Sequence, residues 1–129
     1  MKKTFFLCLA ATAMLWTACE KSFSYEGVIR NDSGKNVKFY FYNTKNVLTD
    51  SFAIETGSSK TVGNGTIEGV KKDFDCASRS MSRYGDSIRT VVTGGGKLKK
   101  SIQKSENWRS EDVEKNLERC TFTISTTDI

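Results

Sequence analysis

The chain has 129 residues, contains neither histidine nor proline, and carries a formal net charge of +5. The absence of histidine excludes His-dependent catalytic triads, His-ligated metal sites and imidazole acid–base catalysis. The absence of proline excludes rigid Pro-rich linkers and polyproline ligands. Without residues 1–18 the chain would keep 111 residues, with 18 basic against 15 acidic side chains. This length is enough for one small domain.

The N-terminus has the pattern of a bacterial export signal. Lys2 and Lys3 precede an apolar block of 14 residues over 5–18, and small residues and a cysteine end it. A helix needs roughly 20 apolar residues to cross a bilayer, so a transmembrane anchor is the poorer interpretation. The sequence therefore predicts a signal peptide over 1–18, a tether over 19–23 and a single domain over 24–129.

Residues 15–19 read Leu-Trp-Thr-Ala-Cys and resemble the lipobox of bacterial lipoproteins. In that family, signal peptidase II cuts before the cysteine, whose thiol receives a diacylglycerol and whose amine is usually acylated. The resemblance implies that Cys19 is the lipidated first residue of the mature protein, and several acyl chains on one residue anchor stably. Glu20 in the next position does not favour inner-membrane retention, so we expect the outer membrane of the cell envelope, on its periplasmic side or at the cell surface. The alternative is cleavage after residues 11–13 (Ala-Thr-Ala), which releases a soluble product.

Two of the four cysteines remain for the folded domain if Cys8 is removed and Cys19 is acylated. Cys76 and Cys120 are an even number in an oxidising compartment, which favours a disulfide between them. The alternative is two separate buried thiols, since free cysteine packs as a small apolar residue. Two thiolates without histidine cannot complete a four-ligand zinc set, and we expect neither a metal nor a cofactor.

The composition of residues 19–129 favours strands. This part holds eight valines, seven isoleucines and eleven threonines, against two alanines and three leucines, and β-branched residues suit a pleated, half-buried surface. Period-2 segments and short apolar runs predict strands at 23–30, 37–42, 50–55, 59–62, 66–67, 87–93 and 120–124. A Gly-Asn-Gly sequence at 63–65 predicts a hairpin turn. The predicted fold is all-β, a small two-sheet sandwich of immunoglobulin-like type, with a small barrel as the alternative.

Two stretches do not fit a strand pattern. Residues 71–85 have no clear period and are interpreted as a long irregular loop. Residues 110–118 predict a short surface helix, because Ser110 can cap its start and Glu111 and Asp112 suit the positive end of its dipole.

Several short motifs resemble the small, uncharacterised lipoproteins that are abundant in Bacteroidetes. The matching residues are Val28-Ile29-Arg30-Asn31 with Ser33-Gly34, Asp86-Ser87-Ile88, Asn107-Trp108 and Thr121-Phe122-Thr123-Ile124-Ser125. The likeness extends over most of residues 24–129. It implies a β-sandwich on a lipid tether, in an organism whose outer surface carries many glycan-handling lipoproteins.

The predicted strand at 37–42 carries a candidate binding face. If Phe39 and Phe41 face the core, then Lys38, Tyr40 and Tyr42 line the outer face of the sheet. Exposed aromatic side chains stack on sugar rings and anchor protein interfaces. The alternative is a strand that is covered on both faces. A lone tryptophan in so small a domain is expected to lie in the core, and this applies to Trp108, which lies between the predicted strands at 87–93 and 120–124.

The residues that could serve in catalysis or in ion binding give weaker indications than this binding face. Asp73 and Asp75 could mark a cation site or a glycosidase pair, but the segment lacks the glycine of a calcium loop, and a solvated loop is the simpler interpretation. A serine–lysine dyad needs a buried lysine, and the Ser-x-x-Lys spacing at Ser101 and Lys104 falls in an exposed segment. The basic cluster at 97–104 could bind anionic ligands, or it could be a solvated edge that lysines protect from sheet-to-sheet pairing.

These observations predict a non-enzymatic, lipid-anchored envelope module that binds a protein or a glycan. Its contact surface would be the face of Lys38, Tyr40 and Tyr42, or the 71–85 loop. Its membrane contact would run through the lipid, and the envelope location argues against nucleic acid. The alternatives are a small envelope hydrolase that uses carboxylates or a serine–lysine pair, and a structural subunit of an outer-membrane assembly that donates or accepts a strand.

Overall fold

The computed structural model describes residues 21–69 and 74–129. The predicted signal peptide, Cys19 and Asp73 lie outside these ranges. Within them the elements are β1 (Ser22–Asn31), β2 (Val37–Tyr42), β3 (Leu48–Ile54), β4 (Ser59–Glu68), α1 (Cys76–Met81), β5 (Ser87–Val92), β6 (Arg109–Glu114) and β7 (Leu117–Ile124), with short 3-10 turns at Ser105–Asn107 and Thr126–Asp128. No helix in this part of the chain has the length and apolar character to cross a bilayer.

The strands form two sheets, one of four strands in the order β4-β1-β7-β6 and one of three in the order β3-β2-β5. Strands β1 and β7 run parallel, and the other neighbours run antiparallel. The prediction of an all-β, two-sheet sandwich is therefore confirmed. Strand β1 begins at Ser22, so Ser22 and the buried Phe23 belong to the sheet and not to the predicted tether.

The core lies between the inner faces of the two sheets. Strand β2 alternates as its sequence predicts, with Val37, Phe39 and Phe41 fully buried. Their partners across the core include Ile29 and Phe122 of the four-stranded sheet, which are also fully buried. Trp108 is buried as predicted, and its indole Nε1 donates a hydrogen bond to the Ile102 carbonyl at 2.7 Å. This bond satisfies the polar atom that burial of a tryptophan would otherwise leave without a partner.

The predicted helix at 110–118 is wrong. These residues belong to the hairpin of β6 and β7, in which Glu111 lies opposite Arg119 and Asp112 lies opposite Glu118. Strand β7 also pairs in parallel with β1 along eight residues. Because these long-range pairings bury one face of β7, they override a local helix signal that comprised a cap and two acidic residues.

The helix lies instead in the segment interpreted as an irregular loop. Asp75 caps α1 by accepting a hydrogen bond from the Ser78 amide at 3.2 Å. The six-residue helix buries Cys76, Ala77, Ser80 and Met81, which gives it little periodic signal in the sequence. The predicted hairpin turn at 63–65 is also wrong, because β4 runs through these residues without interruption.

Helix α1 lies directly on a row of small residues across the four-stranded sheet. Gly27 of β1 lies opposite Gly63 of β4 on one side and Cys120 of β7 on the other. Cys76 and Ser80, four residues apart on the helix, face this row: Cys76 forms a disulfide with Cys120. A Cβ atom on Gly27 would lie 1.9 Å from the Ser80 Oγ, and one on Gly63 would lie 2.7 Å from the Ser80 Cα. The two glycines are therefore what allows the helix to approach the sheet so closely.

Candidate functional site

The outer side of the three-stranded sheet brings the predicted binding residues together with side chains from both neighbouring strands. Strand β2 is central, so each of its outer residues lies between one residue of β3 and one of β5. Tyr40 lies between Ser51 and Arg89. We call this surface the tyrosine face; its residues are Lys38, Tyr40, Tyr42, Leu48, Ser51, Ala53, Ser87, Arg89 and Val91.

The tyrosine face is open to solvent. Tyr40 and Tyr42 are half-buried, and Lys38 and Arg89 are exposed. Leu48 is 51% exposed and Val91 is 39% exposed, and both are among the exposed large apolar side chains of the described part of the chain. Single exposed apolar residues are normal, but apolar residues grouped with aromatics on one open face mark an interaction site.

The charge on this face is uniformly positive. The Lys38 Nζ lies 4.9 Å from the centre of the Tyr40 ring, and the Arg89 Cζ lies 5.6 Å from it. Both distances are within the range at which a cation is attracted to an aromatic face. None of the nine residues of the tyrosine face is acidic. The arrangement fits a ligand or a protein surface that carries negative charge.

Sequence reasoning found the three β2 residues of this face but missed Leu48, Arg89 and Val91. Alternation along one strand is enough to place Lys38, Tyr40 and Tyr42 on the same side. The other three residues join them through strand pairing over distances of up to about 50 residues, which no local signal shows. The alternation of Ser87 to Val92 is visible in the sequence, but the position of this strand beside β2 is not.

Part of the predicted basic cluster contributes to the fold, which differs from the predicted role in binding anionic ligands. The Lys100 Nζ forms an ion pair with Asp128 at 3.0 Å and lies 5.0 Å from the Phe122 ring centre. Lys104 pairs with Glu106 at 3.8 Å on the surface. The Lys99 amide donates to the Asp128 carbonyl at 2.7 Å. Lys99 and Lys100 therefore hold the C-terminal turn in place, which is a structural role.

Asp128 makes the stability of this turn dependent on pH. Burial raises the pKa of its carboxyl, but hydrogen bonds from the Ser125 side chain and amide, and the hydrogen bond and charge of Lys100, outweigh burial and bring the pKa below its ordinary value of 3.8. A lowered pKa in the folded state stabilises the fold at pH values above the unfolded pKa. That contribution is lost as the pH falls through the lowered pKa.

Replacement Asp128→Asn is expected to lower the free energy of unfolding at pH 7 by about 0.5–2 kcal/mol, since it removes a charged cap. It should also flatten the loss of stability below about pH 4. Urea denaturation at several pH values measures both effects. Asp86→Asn, at an exposed loop position, is the control. If the free energy of unfolding of Asp128→Asn fell at low pH as steeply as that of the unaltered protein, this carboxyl would not be the cause of the pH dependence.

A cavity of about 370 Å³ lies beside the disulfide and bears on the hydrolase alternative. Asp75, Trp108 and Glu118 are among its lining residues. Asp75 caps helix α1, and the Glu118 carboxylate accepts a hydrogen bond from the Ser110 hydroxyl. Both carboxylates of this cavity thus take part in holding the fold. Within the described ranges, no group of three His, Cys, Asp or Glu side chains gathers to hold a metal ion.

The predicted serine–lysine pair does not have the burial that its chemistry needs. Ser101 and Lys104 are both exposed, and the Ser101 hydroxyl accepts a hydrogen bond from the Gln103 amide at 3.2 Å. General-base catalysis by a lysine needs a side chain that is withdrawn from water, which this exposed segment does not provide. Among the predicted sites with described residues, the tyrosine face is the one that is open, chemically uniform and free of an evident structural task.

Comparison of the chain with protein-family models, with curated proteins and with solved structures finds no match. The case for a function therefore depends on the residues and their geometry.

Proposed function

We propose that this protein is a lipid-anchored, non-enzymatic module of the cell envelope that binds an acidic surface of a partner protein through its tyrosine face. The observation that carries the proposal is the composition of that face. Two tyrosines, two cations and two exposed aliphatic side chains share one open side of a three-stranded sheet, with no acidic residue among them.

A protein partner fits this face better than a glycan does. Protein interfaces are enriched in tyrosine and arginine and bury aliphatic side chains at their centre, with charge at the rim. Leu48 and Val91 supply aliphatic area on opposite sides of the tyrosines. A sugar would need a free aromatic ring on which to stack, and Lys38 and Arg89 compete for the ring of Tyr40.

The anchor is the second part of the proposal. The sequence of residues 15–19 supports acylation at Cys19, which would hold the domain close to the membrane. Mass spectrometry of the mature protein tests this part independently of the binding face. A first residue other than Cys19, or a mass without acyl chains, would remove the anchor and leave the binding proposal standing.

Replacement Tyr40→Ala is expected to reduce capture of the partner about tenfold or more, since truncation of a central aromatic side chain is costly in protein interfaces. Arg89→Glu should have a comparable effect by reversing the charge that meets the acidic partner. The measurement is quantitative recovery of cross-linked proteins from intact host cells that express the acylated protein. Lys115→Ala, at an exposed position in the turn between β6 and β7, is the matched control.

A photo-reactive residue at position 42 should give a discrete protein adduct, whereas the same residue at position 115 should not. Equal adducts at both positions would contradict a specific face. Recovery of polysaccharide, with no protein enriched, would show that the ligand is a glycan.

A further inference from the structure

The two sheets have four edge strands, and three of them carry features that hinder the addition of another strand. Strand β5 carries the fewest such features. Edge strand β6 carries three acidic residues, and β4 carries Lys60 and Glu68. On β3, the Asp50 carboxylate accepts a hydrogen bond from the Ser51 amide at 2.7 Å and so covers an edge donor. Strand β5 has one charged residue, Arg89, and that side chain lies on the tyrosine face. Natural proteins use charge and local hydrogen bonds to prevent strand addition at edges.

The register of β5 shows which of its backbone groups point to the open edge. The Thr93 amide donates to the Asn36 carbonyl at 3.0 Å, in the same register as the β2–β5 pairs. Hydrogen-bonded pairs alternate along antiparallel strands, so Val91 and Arg89 bond to β2. The amides and carbonyls of Ile88 and Thr90 consequently point away from β2, towards the edge.

A groove of about 280 Å³ runs beside this edge. Ile88 and Thr90 form one wall, and Leu98, Lys99 and Ile102 form part of the other. Ile88 and Leu98 are half-buried and pack on the core, and Ile102 is buried. The floor of the groove is therefore continuous with the apolar interior. The Lys99 amide bonds to the Asp128 carbonyl, so this loop is held by the C-terminal turn and lies alongside β5.

The charge at the groove is positive. Lys99 is exposed, its Nζ lies 3.4 Å from the carbonyl oxygen of Thr127, and no acidic side chain of the described residues forms an ion pair with it. Lys97 precedes it by two residues and is also exposed. These ammonium groups give the surface near the edge a positive potential that attracts an acidic segment.

We propose that the open edge of β5 accepts an extended acidic segment of a partner protein as an added strand. The backbone groups of Ile88 and Thr90 supply the main-chain hydrogen bonds of strand addition, as in other domains that extend a sheet with a peptide. The apolar floor receives every second side chain, and the side chains between them point to the outer side of the sheet, next to the exposed Arg89, which favours acidic residues there. The edge groups and the apolar floor of this site lie at the inner side of β5, and its outer side adjoins the tyrosine face at Arg89.

The probe for the test is a fluorescent peptide of seven residues in which valine and aspartate alternate. The protein is expected to bind it saturably, and hydrogen exchange at the amides of Ile88 and Thr90 should slow at least tenfold on saturation. Thr90→Pro removes an edge-facing donor without removing a bond to β2 and is expected to weaken binding at least tenfold. Ser59→Pro, at the start of the β4 edge strand of the other sheet, replaces a residue whose amide also points away from the neighbouring strand, and as the matched control it should leave binding unchanged.

A second measurement does not depend on the folding of a variant. The same peptide with N-methyl groups on alternate residues, placed to remove the donors that face β5, should bind at least tenfold more weakly to the unaltered protein. Absence of saturable binding, equal loss in both proline variants, or protection at another edge would overturn the proposal. Protection of Ile88 and Thr90 that rises with protein concentration in the absence of peptide would also overturn it, since a second copy of the chain would then be the occupant.

Discussion

Reduction of the Cys76–Cys120 disulfide is expected to lower the free energy of unfolding by about 4 kcal/mol. The two cysteines are separated by 44 positions, and in the chain-entropy model a closed loop of this size restricts the unfolded chain by about that amount. The bond is also the covalent link between helix α1 and the four-stranded sheet. Urea denaturation with and without a reductant, at matched pH, measures the difference.

The double variant Cys76→Ser/Cys120→Ser should match the reduced protein and should not respond to reductant. Hydrogen exchange should show that the amides of α1 lose protection first, because the helix is only six residues long and its hydrogen bonds alone do not sustain it. A stability difference below about 1 kcal/mol would mean that the native protein does not rely on the bond.

Replacement Gly27→Ala is expected to lower the free energy of unfolding by about 1–3 kcal/mol, as overpacking of a dense core does. Gly27 is not among the glycines with positive φ, so the backbone itself can accommodate alanine. The cost is steric, because the new Cβ would lie 1.9 Å from the Ser80 Oγ and 2.5 Å from the Ser80 Cβ. Thermal or urea denaturation measures it.

The identity of the clashing atoms predicts which variant can be rescued. Ser80→Gly removes the Oγ and the Cβ, so Gly27→Ala should cost little in the Ser80→Gly background. A Cβ on Gly63 would meet the Ser80 Cα at 2.7 Å and the Ser80 carbonyl oxygen at 3.1 Å. These are backbone atoms, so Gly63→Ala should remain destabilising in both backgrounds. A double-mutant cycle separates this coupling from the cost of Ser80→Gly itself. Rescue of both variants, or of neither, would contradict the packing described.

Strands that bury one face and expose the other were predictable from the sequence. The bounds of β2 agree with the prediction, and β1 and β5 differ from it by no more than one residue at each end. In β2 every second residue is apolar and faces the core, and in β1 and β5 most inward residues are apolar, so a slip of one residue would expose these sets. The same alternation placed Lys38, Tyr40 and Tyr42 on one side of the sheet. Trp108 was predictable for a related reason, since so large an apolar side chain is rarely left in water.

In the segments that were mispredicted, the structure depends on contacts with residues far away in the sequence. Residues 110–118 have a helix-like start, but β7 gains more by pairing with β1 and β6 than a short surface helix would gain. Gly63 resembles a turn residue in its local context, yet in the sheet it lies opposite Gly27 beneath Ser80. A glycine that makes room for a neighbour has no periodic signature, because the neighbour comes from elsewhere in the chain.

The amino-acid order alone was sufficient for the all-β class, the inward and outward sides of β2, and the expectation of an exported, acylated chain, since each depends on composition or on a local repeat. The partners across the strands came only from the folded chain. Folding brings Arg89, Leu48 and Val91 to the tyrosines, sets helix α1 on its glycines and leaves the β5 edge open. Periodicity reports which side of an element is buried, whereas the neighbours of that element depend on which arrangement of the whole chain buries the most apolar surface with all backbone groups paired.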